Sequence, residues 1–461
     1  MRLHAFALKK QICLALISVF LFSGCIPTAK RVPNLDAIFS KTKVQTGKRP
    51  LIIIPGILGS ELVNKDTGEK VWLNFSEVKG DGLSLPISPD LSKNRDNLIP
   101  KQILKTVKVS RFLPEISIYQ TLIDAVERYG GYTEGDWENP DVAKGESDKY
   151  YVFAYDWRLD NVENARLLMQ KIEKLKQKFG NSEMRFNVVA HSMGGLIARY
   201  AAMYGDTDLT ENPQPNWDGA RHFSKIFMFG TPNEGAMATL DTILNGFRIG
   251  GFEIDTLGSE VAVTSPSVFQ LLPHKNAARF YDENLQPIDV NLYDAETWKK
   301  YGWSAYTRKS FRDKFPDLDE YFQIALSRAK LFHDALNAET IVPPTLAFFA
   351  FGSDCDNTQD GAILRRNSKT NLWQTIFAPK SYKTSDGKQI TKSQTKAKLY
   401  APGDFRVTRR SLLAEDNENI GLFRRNLSIS AVFSCEIHDR LPNNKIAQNN
   451  FLTALIMEIT R

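Results

Sequence analysis

Residues 188–196 read Val188-Val189-Ala190-His191-Ser192-Met193-Gly194-Gly195-Leu196. An apolar run ends at a serine flanked by small residues. The segment beyond it, Leu196-Ile197-Ala198-Arg199-Tyr200-Ala201-Ala202, favours a helix. A strand that turns sharply into a helix leaves no room for side chains beside the turn. Small residues therefore belong two positions before and after the serine, where Ala190 and above all Gly194 stand. Such a turn presents Ser192 as a candidate nucleophile.

Outward from this stretch, short apolar runs recur: Leu51-Ile52-Ile53-Ile54, Tyr151 to Ala154, Phe186 to Ala190, Ile226 to Phe229, Leu346 to Phe351 and Ile429 to Phe433. Runs without alternation read as strands buried on both faces, as in a parallel sheet. Helix-period segments lie between and after them, at 163–179, 194–204, 237–246, 319–338 and 444–459. Alternation of this kind predicts an α/β fold, a mainly parallel central sheet with helices on both faces. The strand–serine–helix stretch resembles the nucleophile elbow of α/β-hydrolases, with Ala190 in place of the first glycine of G-x-S-x-G. The long stretches 60–150 and 232–340 break the alternation and are expected as insertions, the second as a cap or lid. One catalytic domain, 49–461, is expected.

The chain has 461 residues, 42% hydrophobic and 24% charged, which fits a globular core and excludes collagen-like and mostly disordered classes. Of the net charge of +6, Arg2, Lys9 and Lys10 supply three, and the remaining +3 gives no case for nucleic acid as a partner. Those three precede an apolar run from Ile12 to Phe22, too short for a transmembrane helix of about 20 residues. Leu21-Phe22-Ser23-Gly24-Cys25 resembles a bacterial lipobox, although Phe22 stands where leucine is usual. Residues 1–24 are thus expected as a lipoprotein signal peptide, Cys25 as the lipidated residue and 25–48 as a tether. With Ile26 rather than Asp after that cysteine, the outer membrane is the expected destination if this is a Gram-negative lipoprotein. With Cys13 in the signal and Cys25 lipidated, Cys355 and Cys435 are expected to form a disulfide.

A serine hydroxyl needs a base, and the base a carboxylate. In this fold the chain order is Ser, acid, His. Of six histidines, His4 lies in the signal and His191 in the elbow, facing away from Ser192. His438, just after the last expected strand, occupies the base's place. The acid is open between Asp354, soon after the strand at 346–351, and Asp404 in Ala401-Pro402-Gly403-Asp404-Phe405-Arg406-Val407. One oxyanion donor is the amide after the nucleophile, Met193.

Pro50-Leu51-Ile52-Ile53-Ile54-Pro55-Gly56-Ile57-Leu58-Gly59-Ser60-Glu61-Leu62 resembles the N-terminal motif of the lecithin:cholesterol acyltransferase family. Tyr155-Asp156-Trp157-Arg158-Leu159, Gly230-Thr231-Pro232-Asn233-Glu234-Gly235 and Pro266-Ser267-Val268-Phe269-Gln270-Leu271-Leu272-Pro273 are similar to further family segments, in order, over about 50–440. The resemblance places the acid at Asp404, with Phe405-Arg406 departing from the family's small or polar residues. It places the second oxyanion donor at the Ile57 amide, with Gly56 allowing close approach. It implies a serine lipase or acyltransferase acting on phospholipids or acylglycerols at a membrane surface. The sequence holds no metal-ligand spacing, P-loop or dinucleotide fingerprint, so no cofactor and no metal are expected. The other readings are an esterase for non-lipid esters and an inactive surface-binding lipoprotein. The six lysines of 380–398 are expected on an exposed hairpin or mobile loop, with an anionic membrane surface as their other possible partner. Trp157, Trp298, Tyr301, Trp303 and Tyr306 are expected in core packing.

Overall fold

The computed structural model describes residues 32–40, 46–73, 82–107, 116–249, 252–253, 258–275, 277–303, 309–415 and 431–456. The expected signal, Cys25 and Tyr306 lie outside these residues.

Seven parallel strands form the central sheet: β1 (Leu51–Ile54), β2 (Thr133–Glu134), β3 (Lys149–Val152), β4 (Phe186–His191), β5 (Phe223–Phe229), β6 (Ala347–Gly352) and β7 (Ala431–Phe433), in the spatial order β7-β6-β5-β4-β1-β3-β2. Every residue of β1 and β4 is buried, which explains their unbroken apolar runs. The second run, expected at 151–154, sits two residues earlier, at 149–152 in β3, and β2 is a two-residue exposed edge strand with no apolar signature.

Both faces of the sheet are covered. One side packs α1 (Gln120–Arg128) and α6 (Lys445–Ile456) against Leu51, Ile53, Val189 and Phe227. The other packs α2 (Asn161–Phe179) and α3 (Met193–Tyr204) against Ile52, Ile54, Val188 and Ala190. The odd and even residues of β1 therefore serve opposite cores, as the pleat requires. Asp160 starts α2 by accepting the Val162 and Glu163 amides, and Gly180 ends it in the left-handed conformation.

The first insertion is a three-stranded antiparallel sheet (60–64, 70–72, 98–103), a small hairpin and α1. The second contains α4 (Met237–Asn245) and α5 (Leu318–Leu336) with short helices between them. A four-stranded sheet from 280–281, 287–288, 362–366 and 373–376 joins the second insertion to the stretch after β6. The lysine-rich stretch is ordered as a hairpin (382–383 with 389–390) and a helix, Lys392–Leu399, whose start is a reciprocal Thr391–Gln394 capping box. Trp157, Trp298, Tyr301 and Trp303 are buried.

Candidate active site

Ser192 is reached at the end of β4 with φ 54° and ψ −126°, a backbone conformation a non-glycine residue adopts only under constraint. Its N–H donates to the Phe229 carbonyl (2.8 Å), which ties the turn to β5. A Cβ on Gly194 would lie 2.4 Å from the Pro55 carbonyl oxygen, and one on Gly56 would lie 2.8 Å from the Ser192 Cβ. The elbow and the turn after β1 are thus pressed together at glycines, because β1 and β4 are adjacent strands.

The three polar side chains expected to act together meet here. His438 Nε2 is 2.9 Å from Ser192 Oγ, and its Nδ1 is 2.8 Å from Asp404 Oδ2. The other Asp404 oxygen accepts the Arg406 (3.0 Å) and Val407 (2.7 Å) amides, and the His438 N–H donates to the Asp404 carbonyl (2.9 Å). The aspartate is therefore held as an acceptor, and the imidazole donates from Nδ1 and accepts at Nε2. Burial works against the imidazolium, yet the Asp404 carboxylate outweighs it and raises the His438 pKa.

Asp354 is exposed beside Cys355. The alternative acid therefore stands apart from the imidazole that Asp404 engages. Phe405 takes a positive φ of 76°, and its N–H donates to the buried Thr358 hydroxyl (2.8 Å). Backbone amides hold the Asp404 carboxylate, so large side chains at 405 and 406 do not disturb it. Cys355 and Cys435 are bonded, joining the loop after β6 to the loop that carries His438.

Met193 opens α3, where the first amides of a helix have no intrahelical acceptor and point toward negative charge. Ile57 and Ser192 line one cavity of about 300 Å³, whose walls include Leu58, Trp72, Leu104, Val268 and Leu271. Among the described residues no group of His, Cys, Asp or Glu has the arrangement to hold a metal ion. Tyr119 is the residue that sequence reasoning missed. Its hydroxyl accepts the Gly56 N–H (2.8 Å) and contacts His191 Nδ1 (2.7 Å). A lone tyrosine in a long insertion carries no motif that would have marked it.

The segments similar to known family motifs brace this geometry. Tyr155 donates its hydroxyl to the Pro55 carbonyl (2.9 Å), and its N–H reaches the Ser60 hydroxyl. Arg158, fully buried, pairs with Asp156 and with Asp96 of the first insertion. Gln270 spans the Asp160 carboxylate and the Asn161 amide.

Residues 145–341 match the lecithin:cholesterol acyltransferase family profile. An uncharacterised Saccharomyces cerevisiae protein is 22% identical over 300 residues, 63% of this chain and 39% of its own length. Lecithin-cholesterol acyltransferase-like 4 of Arabidopsis thaliana is 24% identical over 262 residues, 50% of this chain and 44% of its own. The chain thus spans about two fifths of the length of these curated relatives. In the solved Tle4–Tli4 complex, one chain superposes with a TM-score of 0.57 at 15% identity, covering 89% of this chain and 98% of that one, a likeness of fold. Over residues 145–341 the chain is thus similar to the lecithin:cholesterol acyltransferase family, and its fold is that of an α/β-hydrolase.

Proposed function

We propose that this protein is a serine-dependent lipid acyl hydrolase or O-acyltransferase acting on phospholipids or acylglycerols. The observation that carries the reading is the continuous Ser192–His438–Asp404 hydrogen-bond chain opening onto an apolar cavity. Ser192 Oγ attacks the ester carbonyl as His438 Nε2 takes its proton. The Asp404 carboxylate stabilises the imidazolium. The Ile57 and Met193 amides receive the oxyanion. As the tetrahedral intermediate collapses, the C–O bond to the leaving alcohol breaks and His438 returns the proton to that oxygen. The acyl group on Ser192 then passes to water or to a second alcohol, with His438 deprotonating the acceptor. An acyl chain suits a cavity walled by leucine, isoleucine and tryptophan, because burial of each CH2 is worth about 0.8 kcal/mol.

The test gives the full chain phosphatidylcholine liposomes, with and without a sterol or diacylglycerol acceptor, and identifies products by mass spectrometry. A new acyl ester that vanishes in Ser192→Ala supports the transferase. Free fatty acid alone, lost in the same variant, supports the phospholipase. Folded Ser192→Ala protein retaining more than roughly a thousandth of the wild-type rate sinks the mechanism.

A further inference from the structure

Beneath the Ser192–His438–Asp404 chain runs a second, fully buried one. The Gly56 N–H donates to the Tyr119 hydroxyl (2.8 Å), which lies 2.7 Å from His191 Nδ1. His191 Nε2 in turn lies 3.1 Å from the main-chain carbonyl oxygen of His438. Four separate stretches of chain meet here: the turn after β1, the entry to α1, the end of β4 and the loop after β7. The Tyr119 and His191 rings pack edge to face at 5.7 Å, and the His191 and His438 rings lie 4.9 Å apart.

Proton counting gives this chain a direction. A carbonyl oxygen only accepts, so His191 must carry a proton on Nε2. A neutral ring then offers a lone pair at Nδ1, and the single Tyr119 proton goes there. The Tyr119 oxygen accepts from Gly56, so every group is used. The ring stays neutral: burial, then the neighbouring His438, push its pKa down to about 3 against the opposing pull of Asp439 and Asp404.

We propose that Tyr119 and His191 are positioning residues for the reaction assigned above, holding the His438 main chain in register with the Gly56–Ile57 oxyanion turn. The inference rests on the serine-hydrolase reading. In that reaction His438 serves two oxygens in turn, the Ser192 hydroxyl and the leaving alcohol, so small errors in its placement are costly. A main-chain anchor fixes the base without competing for its two ring nitrogens. The anchor must be uncharged, because a cation at His191 would oppose the imidazolium forming on His438.

The experiment compares full-chain Tyr119→Phe, His191→Gln, His191→Leu and Ser192→Ala on p-nitrophenyl butyrate, with kcat and KM measured separately. Imidazole nitrogen NMR of the wild type is recorded from pH 5 to 9. The expected result is a roughly tenfold fall in kcat for Tyr119→Phe with KM within about twofold. His191→Gln, whose amide still donates to the His438 carbonyl, should retain more kcat than His191→Leu. The His191 signals should show the Nε2–H tautomer, unchanged across the pH range. A His191 that titrates in that range, or carries its proton on Nδ1, overturns the proposal. So do folded Tyr119→Phe and His191→Leu proteins with wild-type kcat. A wild type without Ser192-dependent turnover removes the hydrolase reading itself, a failure distinct from the others.

Discussion

At the scale of single residues, the proposed reaction makes His438 the group that sets the response to pH. Its imidazole must be neutral to accept the Ser192 proton, so activity should rise as pH passes upward through its pKa. Burial lowers that pKa and Asp404 raises it by more, which puts the rise of kcat/KM above the ordinary histidine value of about 6.5. In Asp404→Asn the raising influence is lost. The inflection should then move to lower pH while the plateau falls by roughly three to four orders of magnitude. Asp354→Asn should leave both plateau and inflection where they were, and pH–rate profiles of the two variants separate the candidate acids. The serine and the base could be read from residue types, spacing and chain order, whereas these left the acid open between Asp354 and Asp404, and only the family resemblance pointed to Asp404. Tyr119 could not, because its two partners lie 63 and 72 residues away and only packing brings them together.

Among the elements, the loops after β6 and β7 share the work of holding acid and base, and the Cys355–Cys435 bridge couples them across 80 residues of chain. Closing so long a loop in the unfolded chain is worth about 2–4 kcal/mol. A Cys355→Ser, Cys435→Ser double variant should therefore unfold at lower temperature by calorimetry. It should lose less activity than Asp404→Asn, since His438 keeps its main-chain bond to Asp404. The central strands were visible in sequence because burial on both faces turns them into unbroken apolar runs, as at Leu51–Ile54. The strands at 280–281, 287–288 and 133–134 were not, because two residues are too few to display an alternation. The lysine-rich stretch was expected as a hairpin or mobile loop from its charge alone. A capping box and the buried Ile390 and Leu399 order it as hairpin and helix.

Across the whole molecule, a histidine between two carboxylates ties the second insertion together, from the turn that leaves β5 to α5. His274 lies 3.5 Å from the buried Glu234 and 3.7 Å from Asp334 on α5. Burial opposes the imidazolium, but the two carboxylates prevail and raise its pKa to about 9. A histidine whose folded pKa is raised contributes stability that is complete below its unfolded value of about 6.5 and is lost as pH climbs through about 9. The full shift corresponds to on the order of 3 kcal/mol. Thermal melts should thus show the wild type losing stability between pH 6.5 and 9, a decline that His274→Gln should flatten. The Ser192–His438 bond joins positions 246 residues apart. A ribosome releases the nucleophile's strand and helix long before the base exists. During synthesis the elbow is therefore chemically silent, and a chain cut short anywhere before residue 438 carries a serine with nothing to activate it. An ester-cleaving enzyme built in this way is inert toward the esters of the cell that makes it until the last stretch of chain has folded into place.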